Sequence, residues 1–471
     1  MEGENEKDFF SARNWPLALL VIVGLGVAIG ACSAGLTYLL DFVQKVCLGW
    51  AESLDDPTPF ITPWWRRLVS IVLASFIASL IWYLIRKREK PIPSVSGAVT
   101  GKPMPVLRSL THIILQIVIV GAGLPVGRET APRELGALFG QKLSSTLRLS
   151  KKDMPVVIAV AAGAGFAGVY NAPLAGTFFA LEILLSRIEL PVVGLALGTS
   201  LVSTFTAGFL KGIKVFYRLP VLKVSIHLMV FSCLIGPLCG LAAFFFRMFT
   251  QWANRRQETS RKTLWMLPLM GLMTGLVAIV FPQVMGNGRS QAQMAYGLSL
   301  LAQASGGRQV AGFTGLDALK GLGDLSLGSL RPGKAVGIVL LVLMVLIVAK
   351  TLLAGFTIRA GAAGGVLTPA VAVGACLGAM LALLISLAFP SLGLSVGICA
   401  YVASAAFLAT SQKAPLMATA FMLELTHASI SFVLPLGLAA GLSVLTSFWL
   451  EQSPWGKGMS KAASLPAGIK S

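Results

Sequence analysis

The segment Asn171–Glu182 reads NAPLAGTFFALE, and the segment Lys413–Glu424 reads KAPLMATAFMLE. Seven of the twelve aligned positions are identical, including an early proline and the final glutamate. About 40 residues before each copy, a Gly-to-Pro turn opens an apolar helix, GRETAPRELGALFG at 127–140 and GGVLTPAVAVGACLG at 364–378. The same parts in the same order predict an internal repeat, and many membrane transporters are built from such repeats.

The composition is that of a membrane protein. Of 471 residues, 55% are hydrophobic and 12% are charged, whereas soluble proteins carry about 25% charged residues. The 50 glycines would destabilise exposed helices, but they allow close packing of membrane helices. These values exclude a soluble enzyme, a coiled coil, a disordered chain and a secreted disulfide scaffold.

Uncharged runs mark the membrane segments, because a spanning helix needs about 20 apolar residues. Shorter runs occupy 68–85, 109–127 and 335–349, and the long ones occupy 16–40, 154–181, 190–210, 224–246, 264–288, 360–412 and 428–450. The run 360–412 must hold at least two segments. Short segments broken by Gly or Pro are tolerated only where they face protein or a watery cavity. We therefore predict an all-α polytopic membrane protein with many tilted and broken helices, and we interpret 289–334 as a loop with short helices.

The charge balance points to anions rather than to nucleic acid. The chain has 38 Lys and Arg against 19 Asp and Glu, a net charge of +19. Most basic residues lie between apolar runs, as expected for cytoplasmic loops, and their field also concentrates anions near a pore. No basic motif with interleaved aromatic residues suggests nucleic-acid binding, and the Cys and His spacing predicts no metal or cofactor.

Acidic residues inside a bilayer are costly and usually functional. Four of the 19 acids fall within or beside the long apolar runs: Glu129, Glu134, Glu182 and Glu424. Glu182 and Glu424 end the two repeat copies. A structural role, such as bonding a free helix end, is therefore favoured for both.

Glu129 lies where a helix is predicted to begin. Pro132 suits the first turn of that helix, and Thr130 is a candidate N-cap. The free N–H groups of a helix start bind anions. The Glu129 carboxylate either imitates a bound anion, leaving when it is protonated or displaced, or only stabilises its own helix by about 0.3–1 kcal/mol. The turn Gly364–Pro369 repeats this form without an acid, and two converging starts would dehydrate an anion with N–H dipoles.

These motifs resemble those of the CLC family of chloride channels and anion/proton antiporters. GRETAPRELGALFG resembles its glutamate-gate motif, GGVLTP its Gly-x-Phe-x-Pro motif, and the two repeat segments its Asn/Arg-Ala-Pro-Leu segments. Gly286-Asn287-Gly288 fits its mid-chain glycine-rich loop. The resemblance runs from about Trp15 to Trp455. It implies inverted repeats, a homodimer with one pore per subunit, and both termini in the cytoplasm.

The resemblance also implies roles for individual residues. Glu129 matches the gate. The backbone around two turns matches the anion cradle, which comprises Arg128, Thr130 and Ala131 in the first turn and Gly365, Val366, Leu367 and Thr368 in the second. Trp455 stands where the family has a pore tyrosine, and its indole N–H either donates to an anion or anchors the chain at the interface.

Several positions depart from the family pattern. Thr130-Ala131 resembles the fluoride-exporting branch, but Val366 stands where that branch has a glutamate. Leu367 replaces the motif phenylalanine, and the Gly-Ser-Gly-Ile-Pro motif with the central serine is missing. The family's inner proton-accepting glutamate is Ile183 here. Either Glu182 substitutes for it in a proton pathway, or the chain is a passive anion pathway.

We therefore predict a CLC-type channel or anion/proton antiporter for chloride or similar small anions, in the cell membrane, with fluoride export as the alternative. An organic-solute carrier fits less well because bases exceed acids two to one, and an intramembrane enzyme lacks a catalytic group. The expected organisation is a cytoplasmic segment at 1–14, a transport domain at 15–455 with halves of about 15–215 and 222–455, and a cytoplasmic tail at 456–471.

Overall fold

The computed structural model describes residues 15–87, 92–220, 223–305, 308–314, 332–454 and 456–458. The helices of the first half are α1 (Trp15–Leu20), α2 (Gly26–Leu48), α3 (Trp64–Lys87), α4 (Val95–Val99), α5 (Val106–Gly121), α6 (Thr130–Thr146), α7 (Met154–Tyr170), α8 (Pro173–Phe178) and α9 (Leu190–Lys211). Those of the second half are α10 (Ile226–Arg255), α11 (Thr263–Val280), α12 (Arg289–Gly297), α13 (Pro332–Arg359), α14 (Leu367–Ala388), α15 (Val396–Gln412), α16 (Pro415–Thr426) and α17 (Val433–Gln452).

Short irregular turns extend several of these helices. The π-helical turn Val21–Leu25 joins α1 to α2, and a second one, Phe179–Leu185, continues α8. Single 3₁₀ turns cover Pro282–Val284, Pro390–Leu392 and Ile430–Phe432. π-helical turns are rare and occur frequently at functional sites.

Eight helical units of the described residues are long and apolar enough to cross a membrane, namely α1–α2, α3, α9, α10, α11, α13, α14 and α17. Shorter apolar helices comprise α5, α7, α8 with its π turn, α15 and α16. The polytopic helical prediction is confirmed, and the run 360–412 divides into α14 and α15 as expected. The short α7 and α15 are buried along nearly their whole length, since short membrane helices must face protein.

The interpretation of 289–334 as a loop with short helices is wrong in part. After α12, the strands β1 (Ser299–Ser305) and β2 (Arg308–Thr314) form an antiparallel hairpin, with Ser299 opposite Thr314 and Ser305 opposite Arg308. The segment lacks a long alternating hydrophobic pattern, so its strand character was not visible from the sequence.

The two halves pack their outer helices in the same way. A Cβ added to Gly30 in α2 would lie 2.4 Å from the carbonyl oxygen of Ser203 in α9, and one added to Gly240 in α10 would lie 2.4 Å from that of Ser443 in α17. Both serine hydroxyls then donate across 2.8 Å to carbonyls of the central helices, at Ala164 and Ala406. Small residues let the backbones approach this closely, and the matching contacts agree with a repeated architecture.

The two repeat glutamates cap each other's helices. Glu182 accepts hydrogen bonds from the N–H groups of Leu416 (3.1 Å) and Met417 (2.7 Å) at the start of α16. Glu424 accepts from Leu174 (2.8 Å) and Ala175 (2.9 Å) at the start of α8. Each carboxylate therefore satisfies the free donors of a helix start, which agrees with the favoured structural role.

This reciprocal capping predicts a loss of stability on mutation. Glu182→Ala removes two hydrogen bonds to a charged group, each worth about 1.5–3 kcal/mol, so we expect a lower unfolding temperature in detergent. Glu424→Ala is the matched variant and is expected to behave alike, whereas Glu189→Ala, at an exposed ion pair with Arg187, is the neutral control. An unchanged unfolding temperature in both variants would contradict the capping role.

Candidate functional site

Two helix starts, one from each half of the chain, meet in the protein interior. The Gly127 N–H donates to the Gly365 carbonyl across 2.7 Å, and the Gly365 N–H donates to the Gly127 carbonyl across 2.9 Å. This pair forms an isolated antiparallel bridge. Helices α6 and α14 begin within three residues of it. The bridge therefore brings together two helix ends that carry unpaired N–H groups and partial positive charge.

The Glu129 carboxylate crosses from α6 to the start of α14. Its Oε1 accepts from the Leu367 N–H at 2.7 Å, and its Oε2 accepts from the Thr368 hydroxyl at 3.1 Å. Glu129 itself is fully buried. It occupies the N-cap position of α6 but makes no side-chain capping bond there. Its described side-chain hydrogen bonds go to the start of α14 and not to its own helix.

The prediction of Thr130 as the N-cap is wrong by one residue. Thr130 is the first helical residue of α6 and Glu129 is the N-cap. The Thr130 hydroxyl instead accepts a hydrogen bond from Arg133 Nη2 at 3.1 Å. Pro132 lies in the first turn, as predicted, where its missing N–H costs no hydrogen bond.

Both bridge residues must be glycine for the carboxylate to lie where it does. A Cβ at Gly127 would come within 2.1 Å of Glu129 Oε2, and a Cβ at Gly365 within 2.0 Å of Oε1. Close approach of a ligand-like group to the backbone is a recurrent use of glycine. The carboxylate therefore fills a pocket formed by two glycine backbones and the start of α14.

The predicted cradle donors are only partly available. The Gly365 N–H is used by the bridge and the Leu367 N–H by Glu129, so neither is open to an anion in this state. Among the described hydrogen bonds, none uses the N–H groups of Val366 and Thr368, nor those of the turn from Arg128 to Ala131. An anion replacing the Glu129 carboxylate would gain the Leu367 N–H and the Thr368 hydroxyl.

A polar cavity of about 470 Å³ opens onto these helix starts. Thr130 and Arg133 of α6 line it, together with Gly364, Gly365 and Val366 at the start of α14. Residues of α3, α5, α10, α13 and α15 and of adjoining loops form the rest of its wall. Non-helical backbone at membrane depth is tolerated where it lines a cavity, and the turn before α14 does so here.

Arg133 fixes the start of α6 and adds positive charge to the cavity wall. Its Nε donates to the Glu129 carbonyl at 2.7 Å, beside the bond from Nη2 to Thr130. Its guanidinium lies 4.9 Å from the centre of the Phe179 ring, a favourable cation–π arrangement. No protein acceptor is described for Nη1, which leaves one edge of the guanidinium available to a small anion.

The other cations of the cavity wall are engaged by protein groups. Arg247 donates to the Thr410 carbonyl at 2.8 Å and pairs with Glu451. Lys413 pairs with the same carboxylate at 2.8 Å. Arg86 donates to the Gly361 carbonyl at 2.9 Å. These bonds hold the wall in place, while the remaining positive charge favours anions in the cavity.

Lys350 is a buried cation that sequence reasoning missed. It lies inside α13, is fully buried, and donates from Nζ to the carbonyls of Val284 (2.9 Å) and Gly286 (2.7 Å). Glu129 is one of its electrostatic partners. In the sequence, Lys350 directly follows the uncharged run 335–349 and therefore resembles a charge at the edge of a membrane segment. A basic residue at that point in an otherwise apolar stretch is the signal that was available.

Arg128 belongs to an aromatic and charged cluster outside the cavity wall. Its guanidinium lies 5.3 Å from the ring centres of both Tyr170 and Phe216. Arg289 lies 4.2 Å from the Phe216 ring and pairs with Glu52 at 3.1 Å. Arg128 is thus held by aromatic faces, and the side chain that enters the α14 pocket is that of Glu129.

Other predicted positions lie elsewhere. Trp455 is outside the described residues, so its two readings stay predictions. Glu182 caps α16 and is absent from the cavity wall, and Ile183 is half-buried beside it. Ser94 is a further residue of the cavity wall, and it also caps α4 by accepting from the Gly97 N–H at 3.3 Å.

Comparison with known proteins identifies the family. Residues 74–447 match the family model described as voltage gated chloride channel. The chain belongs to the voltage-gated chloride channel family. It is therefore a multi-pass membrane protein whose relatives are channels and transporters.

The relatives of this chain include a channel and an exchange transporter. The voltage-gated ClC-type chloride channel ClcB of Salmonella dublin is 27% identical over 286 residues, covering 58% of this chain and 68% of that protein. The H⁺/Cl⁻ exchange transporter ClcA of Salmonella paratyphi B is 23% identical over 452 residues, covering 92% of this chain and 86% of that protein.

Solved structures share the fold. A slow cyanobacterial Cl⁻/H⁺ antiporter superposes with a TM-score of 0.72 at 19% identity, covering 95% of this chain and 98% of that one. A CLC-type fluoride/proton antiporter gives 0.61 at 18% identity, covering 93% and 96%. The CLC architecture predicted from the motifs is confirmed.

Proposed function

We propose that this protein exchanges chloride or a similar small anion for protons across the cell membrane, with Glu129 as the gate. The observation that carries the proposal is the Glu129 carboxylate bound at the start of α14, 2.7 Å from the Leu367 N–H. A carboxylate at a helix start occupies an anion site. The exchange transporter ClcA, which is similar over most of the chain, supports coupling to protons.

The geometry suggests how exchange operates. An anion arriving through the cavity competes with the Glu129 carboxylate for the same N–H and hydroxyl donors. Protonation of Glu129 removes its charge and therefore weakens its charge-assisted hydrogen bonds to α14. Proton binding and anion binding thus favour the same displaced side chain, which couples the two substrates.

Arg133 is expected to hold the anion on the cavity side. Arg133→Gln removes a cation whose hydrogen bonds to a charged ligand are worth about 1.5–3 kcal/mol, so chloride flux from liposomes should fall about tenfold. Arg133→Lys keeps the charge but loses the planar fork of the guanidinium, so its chloride flux should lie between those of wild type and Arg133→Gln. Arg187→Gln, at an exposed pair, is the control. Equal flux in Arg133→Gln and the control would contradict this role.

Fluoride is the alternative substrate. It is favoured by the Thr130-Ala131 pair after the gate and by the similarity to a CLC-type fluoride/proton antiporter. An organic-solute carrier fits less well, because the helix starts and Arg133 in the cavity wall are groups that bind small anions. The protein is proposed not to be an enzyme.

Anion efflux from liposomes tests the proposed function. Purified protein should release chloride, fluoride and nitrate at different rates, and a proton ionophore should accelerate efflux if proton movement is coupled to it. Chloride efflux with opposing proton movement is the expected result. Efflux that is selective for fluoride would favour the alternative, and chloride efflux without proton movement would replace exchange by a passive pathway.

The assembly and topology are part of the proposal. We expect a homodimer with one pathway per subunit and both termini in the cytoplasm, with the transport domain spanning 15–455. Its repeat halves, about 15–215 and 222–455, are supported by the reciprocal caps and by the matching outer-helix contacts.

A further inference from the structure

Exchange requires a group that passes protons between the cavity and the gate. Of the four acids that the sequence places within or beside the long apolar runs, three bond the start of another helix. Glu129 bonds the start of α14, while Glu182 and Glu424 each bond two backbone N–H groups of a helix start. Glu134 bonds no helix start and bonds side chains instead. It is the core acid that the gate and the caps leave unused.

Glu134 lies in the wall of the same cavity as the gate turn. It follows Glu129 by five residues on α6, about 7.5 Å along the helix axis, and Thr130 and Arg133 line the cavity beside it. The side chain is buried, with Oε2 accepting from Gln116 Nε2 at 2.6 Å. His112 Nε2 lies 3.7 Å from the same oxygen.

The neighbouring histidine points a donor at this carboxylate. Trp82 Nε1 donates to His112 Nδ1 at 3.0 Å. An indole N–H is a donor only, so Nδ1 carries no proton and the neutral ring has its proton on Nε2. A second proton on Nδ1 would break the Trp82 bond. His112 therefore keeps its proton on Nε2, the nitrogen 3.7 Å from Glu134 Oε2, and the carboxylate is the group that can take up a proton.

Charged groups reach this cluster from several helices. Arg133 precedes Glu134 on α6 and is an electrostatic partner of it. Arg86 of α3 is an electrostatic partner of His112. Arg247 of α10 and Lys413, just after α15, line the same cavity but share the carboxylate of Glu451.

Of the other groups on helices packed against α6, Arg108 of α5 donates to the Ile85 carbonyl at 2.9 Å, and no interaction of α2, α4 or α7 with Glu134 is described. Helices α4 and α7 contain no Asp, Glu, Lys, Arg or His. Tyr170 of α7 lies against Arg128. On α2, the electrostatic partners of Asp41 include Lys45 and Arg128 but not Glu134. Glu134 is thus a single carboxylate at the cavity wall, bordered by cations and by two neutral donors.

We propose that Glu134 is the proton acceptor on the cavity side, with His112 and Gln116 as positioning residues. A proton moves from cavity water to the Glu134 carboxylate, giving a neutral carboxyl group. It then passes through water to the Glu129 carboxylate, and Glu134 returns to its ionised form. This inference rests on the proposed exchange and replaces the inner glutamate whose position Ile183 occupies.

The test compares proton and chloride flux in liposomes for wild type, Glu134→Gln and Glu134→Asp. Glutamine keeps the size and a hydrogen-bonding oxygen but cannot carry the proton. Proton flux per chloride should fall at least about tenfold, since positioned acid–base groups commonly contribute roughly a hundredfold or more. Aspartate keeps a carboxyl group and should retain coupling. Glu189→Gln, which removes an exposed charge, is the control.

The outcomes separate this inference from the proposed function. Loss of coupling in Glu134→Gln, with chloride flux still measurable and coupling kept in Glu134→Asp, supports it. A wild-type ratio of proton flux to chloride flux in Glu134→Gln overturns this inference but leaves the proposed exchange function intact. If Glu134→Gln carries no chloride and Glu134→Asp carries chloride without proton coupling, the inference is also overturned. Chloride flux without proton movement in wild type refutes exchange itself, and this inference with it.

Discussion

Replacing Glu129 by glutamine is expected to abolish the pH dependence of anion efflux. In wild type, the carboxylate occupies the α14 start through Leu367 and Thr368, and its charge competes with the anion until a proton neutralises it. Glutamine has nearly the same size but no charge, so acidification has nothing to neutralise at this position. Efflux should then be similar at acidic and neutral pH and should carry no protons.

The measurement is chloride efflux from liposomes at several pH values, with proton movement recorded in parallel. Asp55→Asn is the control, because it also removes an acid but at an exposed ion pair with Arg218. A Glu129→Gln variant with the wild-type pH profile and coupling ratio would contradict the gate assignment.

Gly365→Ala is expected to have the second large effect, at the backbone side of the same pocket. The added methyl group would lie 2.0 Å from the present position of Glu129 Oε1. Neither a carboxylate oxygen nor a halide fits at that distance from carbon. The anion then loses hydrogen bonds from a helix start, each worth about 1.5–3 kcal/mol to a charged group, so flux should fall at least about tenfold.

Gly437→Ala is the matched control for this substitution. It makes the same chemical change in α17, where an added Cβ meets nothing within 4 Å, and it should transport like wild type. Monodisperse elution and an unfolding temperature close to wild type would show that Gly365→Ala is folded. A folded Gly365→Ala protein with wild-type flux would exclude the glycine pocket as part of the pathway.

Much of this architecture could be predicted because the internal repeat and the hydrophobic runs are visible in the sequence and determine the helices and their order. The pairing of NAPLAGTFFALE with KAPLMATAFMLE predicted two related halves, and the structure joins them through the carboxylates of Glu182 and Glu424. The two Gly-to-Pro turns predicted helix starts at which donors are free. Each prediction follows from a local property, namely backbone hydrogen bonding or side-chain polarity.

Features that depend on contacts between distant segments could not be predicted. The sequence placed Glu129 at the start of α6, but only folding shows that its carboxylate bonds α14, more than 200 residues away. Lys350 and Arg247 ended apolar runs in the sequence, whereas the helices continue beyond both. Partners supplied by distant segments, namely the Val284 and Gly286 carbonyls for Lys350 and the Thr410 carbonyl and Glu451 carboxylate for Arg247, allow these cations to be buried. Such partners leave no trace in local hydrophobicity.

Chloride binding to purified wild type and Glu129→Gln, measured by calorimetry at neutral pH, tests the central claim most directly. That claim is that the carboxylate and the anion compete for one helix start. If they do, removing the charge frees the Leu367 and Thr368 donors, and Glu129→Gln should bind chloride more tightly than wild type. Equal or weaker binding in Glu129→Gln would contradict the competition and the gate built on it.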